Sequence, residues 1–192
     1  FQEREDLLLK EYNSQKRHKL ARGIVGIPRI MYFFEHMPFW VRFFKELGYQ
    51  VVLSDPTNRK IINDGVEHVL SESCFPIKIS HGHVLNLMEK NIDFLFIPSI
   101  LNMKKVYEGF TESITCPYGQ ALPYILNVAL NLDKQDKVRI LKPIIPFSRG
   151  AKGVIKALKE IAFDLGVHYR EISKAVKQAE RAQEEFYNSC QK

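Results

Sequence analysis

Disulfides are the first thing this sequence lacks: it has only three cysteines, Cys74, Cys116 and Cys190, with no close pair. An odd number without near neighbours excludes the cysteine framework of a small secreted domain and predicts a reducing, cytoplasmic setting. No run of 18 apolar residues and no signal-peptide pattern occurs, so neither a membrane span nor a membrane partner is expected. No glycine-rich turn ends in Gly-Lys-Ser or Gly-Lys-Thr. Gly23 and Gly26 lie before and within an apolar run, with no third glycine to open a helix. Both phosphate-binding fingerprints are therefore missing, which argues against a bound nucleotide such as ATP or NAD. The 28 basic and 22 acidic residues leave a formal charge of only +6. That excess lies mostly between Lys10 and Arg22 and near the C-terminus, mixed with acids and without interleaved aromatics. It reads as a solvated face and not as a nucleic-acid surface.

What the chain does have is 45% hydrophobic residues in 192, enough for one domain with a real core and no low-complexity stretch. Gly23 to Ile27 is an apolar run stopped by Pro28 and reads as a buried strand. Phe39, Trp40, Phe43, Phe44 and Leu47 fall at helical spacing, and Gly48 ends that helix. Tyr49 to Leu53 reads as a second strand, closed by the turn residues Ser54-Asp55-Pro56-Thr57-Asn58. A short helical segment from Arg59 to Gly65 and a helix through Ile77, Val84, Leu85 and Met88 follow. Ile92 to Ile97 is a third strand, stopped by Pro98. A loop from Ser99 to Thr115 leads to a helix through Tyr118, Leu122, Ile125, Leu126 and Ala129, and Val138 to Leu141 is a fourth strand.

Two apolar stripes predict closing helices: Val154, Leu158, Ile161 and Leu165, then Ile172, Val176, Ala179 and Phe186, the second helix running from about Tyr169 to Cys190. The alternation predicts an α/β fold of about four parallel strands covered by helices in three Rossmann-like layers, with a C-terminal helical pair. The expected division is a helical linker over 1–22, an α/β domain over 23–150 and C-terminal helices over 151–192. The aromatic group Phe33, Phe34, Phe39, Trp40, Phe43 and Phe44 reads as core, part of it open to serving as a docking face.

Cys74 and Cys116 each stand just before a proline and an amphipathic run, which places them near helix N-termini. Unpaired N–H groups and the helix dipole favour an anion there, so a thiolate, and with it a metal ligand or a nucleophile, is favoured. Arg29, Asp55, Ser99 and Cys116 follow strands and should gather at the carboxyl edge of the sheet, where such folds bind ligands. Arg29 and Asp55 serve either as site residues or as a salt bridge at that edge. Glu72 reads first as a backbone cap at a helix start, otherwise as an acid–base group. His81 and His83, two apart, point about 200° away from each other on a helix and share a metal poorly. One of them should pack in the core while the other faces the site edge or solvent. Zinc on Cys74, Cys116 and one histidine is a weaker reading, and Cys190, in a polar helix end, reads as an ordinary residue. Free cysteines are more often small core residues, so the residues alone also support a non-catalytic scaffold or interaction module with buried cysteines. A small-ligand site rimmed by Arg29, Asp55 and Ser99 is the third possibility.

Read in order, Gly26-Ile27-Pro28-Arg29, Phe39-Trp40, Leu53-Ser54-Asp55-Pro56-Thr57-Asn58, Ser71-Glu72-Ser73-Cys74-Phe75-Pro76, His81-Gly82-His83, Phe96-Ile97-Pro98-Ser99 and Cys116-Pro117-Tyr118 resemble a known domain. It is the uncharacterised domain of large proteins related to the 2-hydroxyacyl-CoA dehydratase activase, the CoA-substrate-specific enzyme activases. The resemblance spans about Gly23 to Leu130, with a weaker helical tail, and is distantly shared with the iron–sulfur subunits of the dehydratases. It implies that Cys74 and Cys116 ligate an iron–sulfur cluster of 4Fe–4S type in an anaerobic bacterium. The domain is then an electron relay or a dehydratase-like element. The resemblance further implies activase ATPase modules in the same longer chain and a further C-terminal domain supplying the remaining cluster ligands. On that view this stretch alone is inactive and holds at most an incomplete cluster. A homodimer is compatible with the same picture.

Overall fold

Short apolar runs, each broken by proline or glycine, form the strands of the computed structural model, which describes residues 2–15, 21–104, 109 and 113–191. The chain opens with α1 (Gln2–Asn13), β1 (Ile24–Ile27), α2 (Phe33–Glu46), β2 (Gln50–Leu53), α3 (Arg59–Glu67) and α4 (Phe75–Met88). It continues through β3 (Phe94–Phe96), β4 (Ser99–Asn102), α5 (Pro117–Leu130), β5 (Arg139–Leu141), β6 (Ile144–Pro146), α6 (Gly150–Leu158) and α7 (Tyr169–Cys190). Residues 16–20 of the expected linker and 105–108 and 110–112 of the expected loop lie outside the described residues.

The main sheet has the order β2-β1-β3-β5, all parallel, with Val25 facing Val51 and Phe94, and Leu95 facing Ile140. Alternate residues serve opposite faces. Val25, Ile27 and Phe96 join α1, α2, α6 and α7 in one core, while Leu95 joins α4 and α5 in the other. These are the three layers expected of an α/β fold. Trp40 and Phe44 pack against Phe96 with ring centroids 4.7 and 4.9 Å away, so the aromatic group is core as expected, except for Phe34, which is exposed.

Two strands fall where the sequence predicts no strand. β4 begins the expected loop, and it pairs in parallel with β6, Ser99 opposite Ile144. The cause is proline. Phe96 faces Leu141 and Ser99 faces Ile144, so the register runs unchanged across Pro98 and Pro143. Neither proline has an N–H to give the ladder, and one ladder reads as two.

α1 is more than a polar linker, since Leu8 is fully buried in the core shared with α2 and α7. α7 follows its predicted limits, whereas α6 ends at Leu158 and tightens into a 3-10 turn over Lys159–Ile161. α2 is kinked at His36 (φ −109°, ψ 15°), two residues before Pro38. The kink opens the bond that would join Glu35 to Phe39. The buried Gln183 of α7 fills the gap: its amide N–H donates to the Glu35 carbonyl at 2.7 Å and its oxygen accepts from Phe39 N–H at 3.3 Å. No helix among the described residues is long and apolar enough to cross a membrane.

On the opposite face α3 packs backbone to backbone against α4. A Cβ at Gly82 would overlap the Ile61 carbonyl, and one at Gly65 would crowd the Lys78 carbonyl. Backbone cannot step aside as a flexible side chain can, so overpacking here costs at least about 2 kcal/mol. Gly82→Ala is accordingly expected to lower the urea-unfolding free energy by that amount or more. A wild-type midpoint for this variant would show that the two helices do not meet at glycine.

Candidate functional site

The strand exits form the edge on which the expected site residues lie. α4 leads into β3 and α5 leads into β5, so the N-termini of both helices lie toward the carboxyl edge of the parallel sheet, on the same face. Cys74 is the N-cap of α4, with Pro76 in its first turn, and Cys116 is the N-cap of α5, followed by Pro117. Neither thiol caps its helix, and both are free and exposed, as is Cys190. The helix-terminal placement agrees with the sequence reading. The alternative in which the cysteines are buried is overturned, because N-cap positions before proline turn outward at the layer edge. Two thiols at helix N-termini have the donor chemistry of cluster ligands. Among the described residues, however, no group of three or more His, Cys, Asp or Glu side chains comes together to hold a metal.

Arg29 and Asp55 do not pair with each other. Arg29 binds Ser54 twice, its N–H to Oγ at 2.8 Å and its Nε–H to the carbonyl at 2.9 Å, and its guanidinium lies 3.6 Å from Glu5. Asp55 accepts from Lys90 Nζ at 2.7 Å and from Asn86 Nδ2 at 2.9 Å, while Asn86 Oδ1 takes the Asp55 N–H. The hydrogen bond from the Lys90 ammonium, then that from Asn86, holds the Asp55 carboxyl below its usual range. Glu72 is not the expected cap: it is exposed and paired with Lys78 at 2.7 Å, which lowers its pKa. Ser99 is buried, its hydroxyl donating to the Gln120 carbonyl at 2.8 Å, so it fastens β4 to α5 and does not rim a site.

Both His81 and His83 are buried, against the expectation that one faces outward. The glycine contact between α3 and α4 covers this part of α4. His81 Nδ1 bonds the Ile77 carbonyl at 3.0 Å, its Nε2 has no partner among the described residues, and burial lowers its pKa. His83 is a strut between the β2 exit and α4, with Nδ1 2.8 Å from Ser54 Oγ and Nε2 3.0 Å from Thr57 Oγ1. Burial, helped by the positive charge of Arg29, lowers its pKa to about 4.

Tyr32 was not singled out by the sequence reading. The turn after β1 holds Met31 in the left-handed region (φ 47°), and this brings the Tyr32 hydroxyl to the start of α5, where it accepts the Cys116 N–H at 3.0 Å. Its place just beyond a strand end, three residues past Arg29, was the available signal.

The family model described as the CoA enzyme activase uncharacterised domain matches residues 24–192, from β1 to the end of α7. No curated protein and no solved structure matches the chain.

Burial also lowers the pKa of His36, stacked on Phe147 at 4.0 Å, to about 4. Both His36 and His83 therefore stay neutral in the folded state down to about pH 4, whereas in the unfolded chain they take up protons below about 6.5. The unfolded state binds more protons in that window, so stability falls as pH drops through it. The urea midpoint should decrease between pH 7 and pH 5, above the carboxylate range, and His83→Gln should make that slope shallower. A flat wild-type profile would contradict this assignment.

Proposed function

The chain belongs to the CoA enzyme activase uncharacterised domain family, and from that membership we propose that it is an iron–sulfur-binding domain of an activase-related protein, acting as an electron relay or a dehydratase-like element. One observation carries the reading: two free, exposed thiols stand at the N-cap positions of two helices at the same sheet edge, each before a proline. Cysteine thiolates are the ligands iron–sulfur clusters prefer. Cys74 and Cys116 would hold the cluster, which when bound supplies one-electron redox chemistry at a potential set by burial and hydrogen bonding. The remaining ligands come from outside the described residues, in a neighbouring domain of the same protein. ATPase modules of that protein are the proposed electron source, in the cytoplasm, where free thiols persist.

A second reading, an interaction module without redox chemistry, draws on Phe75 and Tyr118. Phe75 follows Cys74, Tyr118 lies two residues after Cys116, and both large side chains stand half exposed, as residues awaiting a protein surface would. The readings separate on metal content. Anaerobic iron–sulfide reconstitution of the full-length protein should yield bound iron, sulfide and an EPR signal, all reduced or lost in Cys74→Ser and in Cys116→Ser. Unchanged iron and sulfide in both variants would replace the relay with the interaction module.

A further inference from the structure

The order β2-β1-β3-β5 reverses direction between β1 and β3, since the chain winds from β1 outward to β2 and then back past β1 to β3 and β5. In open parallel sheets, ligands bind in the crevice beyond the carboxyl ends of the two strands at such a switch point. Here that crevice contains a cavity of about 40 Å³, walled by Ile27, Met31, Trp40, Ile97, Leu122 and the ring of Tyr32. The volume admits about two or three water-sized groups. Its walls are mostly hydrocarbon, so it favours a short aliphatic group over water.

Two residues that line this cavity, Tyr32 and Gly119, carry hydrogen-bond donors. The Tyr32 oxygen already accepts the Cys116 N–H, and the hydroxyl's own proton has no acceptor among the described residues. In the first turn of α5, Pro117 has no N–H, and Gln120 is the first residue to bond back, to the Cys116 carbonyl at 3.0 Å. The N–H groups of Tyr118 and Gly119 reach no acceptor among the described residues. Gly119 also lines the cavity, and a Cβ there would stand 2.9 Å from the Tyr32 hydroxyl. The Tyr32 hydroxyl and the Gly119 N–H, both on residues that line this apolar space, with the Tyr118 N–H next along the chain, match a ligand with an acceptor-only head and a short tail. A carboxylate is acceptor-only, with two oxygens, and the start of α5 favours its charge.

We propose that the switch-point cavity binds a short aliphatic carboxylate of roughly three carbons, its tail among Ile27, Ile97 and Leu122 and its oxygens on Tyr32 and the first turn of α5. This site goes beyond the cluster reading and stands without it.

Trp40 is the only tryptophan of the chain and lines the cavity, so its fluorescence reports on occupancy. Sodium propionate, titrated against sodium chloride of equal ionic strength, should change Trp40 emission saturably, with a Kd in roughly the millimolar range for so small a ligand. Tyr32→Phe keeps the ring and loses the donor, and should weaken binding about three- to tenfold. Leu122→Phe fills the cavity and should abolish the saturable response, with far-UV circular dichroism confirming the fold. Propionamide, neutral and of the same shape, should bind at least about tenfold more weakly than propionate, the difference a charged acceptor makes. A response that never saturates, or one that Tyr32→Phe and a folded Leu122→Phe both leave unchanged, would overturn the assignment.

Discussion

The paired break of one β-ladder at Pro98 and Pro143 sets the geometry of the candidate site. The two prolines face each other in register, and neither can donate to the ladder. The strands stay joined around them through the Ile97 N–H to the Leu141 carbonyl and the Ser99 N–H to the Pro143 carbonyl, each at 2.9 Å. β4 and β6 thus continue as a separate two-stranded sheet, and β4 becomes the platform for the start of α5. The Thr115 N–H bonds the Leu101 carbonyl at 3.1 Å, the Thr115 hydroxyl bonds the Ile100 carbonyl, and Ser99 holds Gln120. Cys116 is located by this chain of contacts. Ile97 and Pro98 themselves line the switch-point cavity, so the same break that positions the cysteine also shapes the space beside it.

A second constraint joins the C-terminal helices to the sheet. A kinked helix exposes a carbonyl and an N–H that cannot stay unpaired in a core, where each orphan costs about 1–3 kcal/mol. Gln183 meets both with one amide, and Phe186, Ala179, Val176 and Ile172 bury their side chains in the same core as α2. α7 therefore completes the helical layer over β1 and β2, consistent with a family match that runs through residue 192.

The four strands of the main sheet and most helices were legible because their signals are local. They are apolar runs stopped by proline, the Gly48 stop, and the stripe from Ile172 to Phe186. The Cys-Pro contexts likewise placed both cysteines at helix starts. What was not legible depends on partners distant in sequence. Proline reads as a strand end in one chain, and only the facing proline on β5–β6 turns the end into an interruption. The burial of both histidines follows from Gly65 meeting Gly82, which no helical-wheel argument on α4 alone reveals. Tyr32 depends on the left-handed Met31, a conformation that local sequence does not favour for methionine. The iron–sulfur reading came from the resemblance and its motifs. Spacing alone left the cysteines open between ligand and core.

The carboxyl edge divides into two parts with opposite hydrogen-bond character. At the exits of β1 and β2, Arg29, Ser54, His83, Thr57, Asp55, Asn86 and Lys90 satisfy one another within 3.0 Å. A network closed in this way fixes a turn and has little left to offer a ligand, so these polar residues are best understood as scaffold, however site-like they look in sequence. At the corner of β1, β3 and α5, the donors of Tyr32, Tyr118 and Gly119 remain without acceptors among the described residues, an exposed thiol stands beside them, and the wall is apolar. Unmet donors are tolerable at a rim that water reaches, but they contribute nothing to the fold there. Hydrogen-bonding capacity that folding does not use is what binding requires, and on this edge it is concentrated around Cys116.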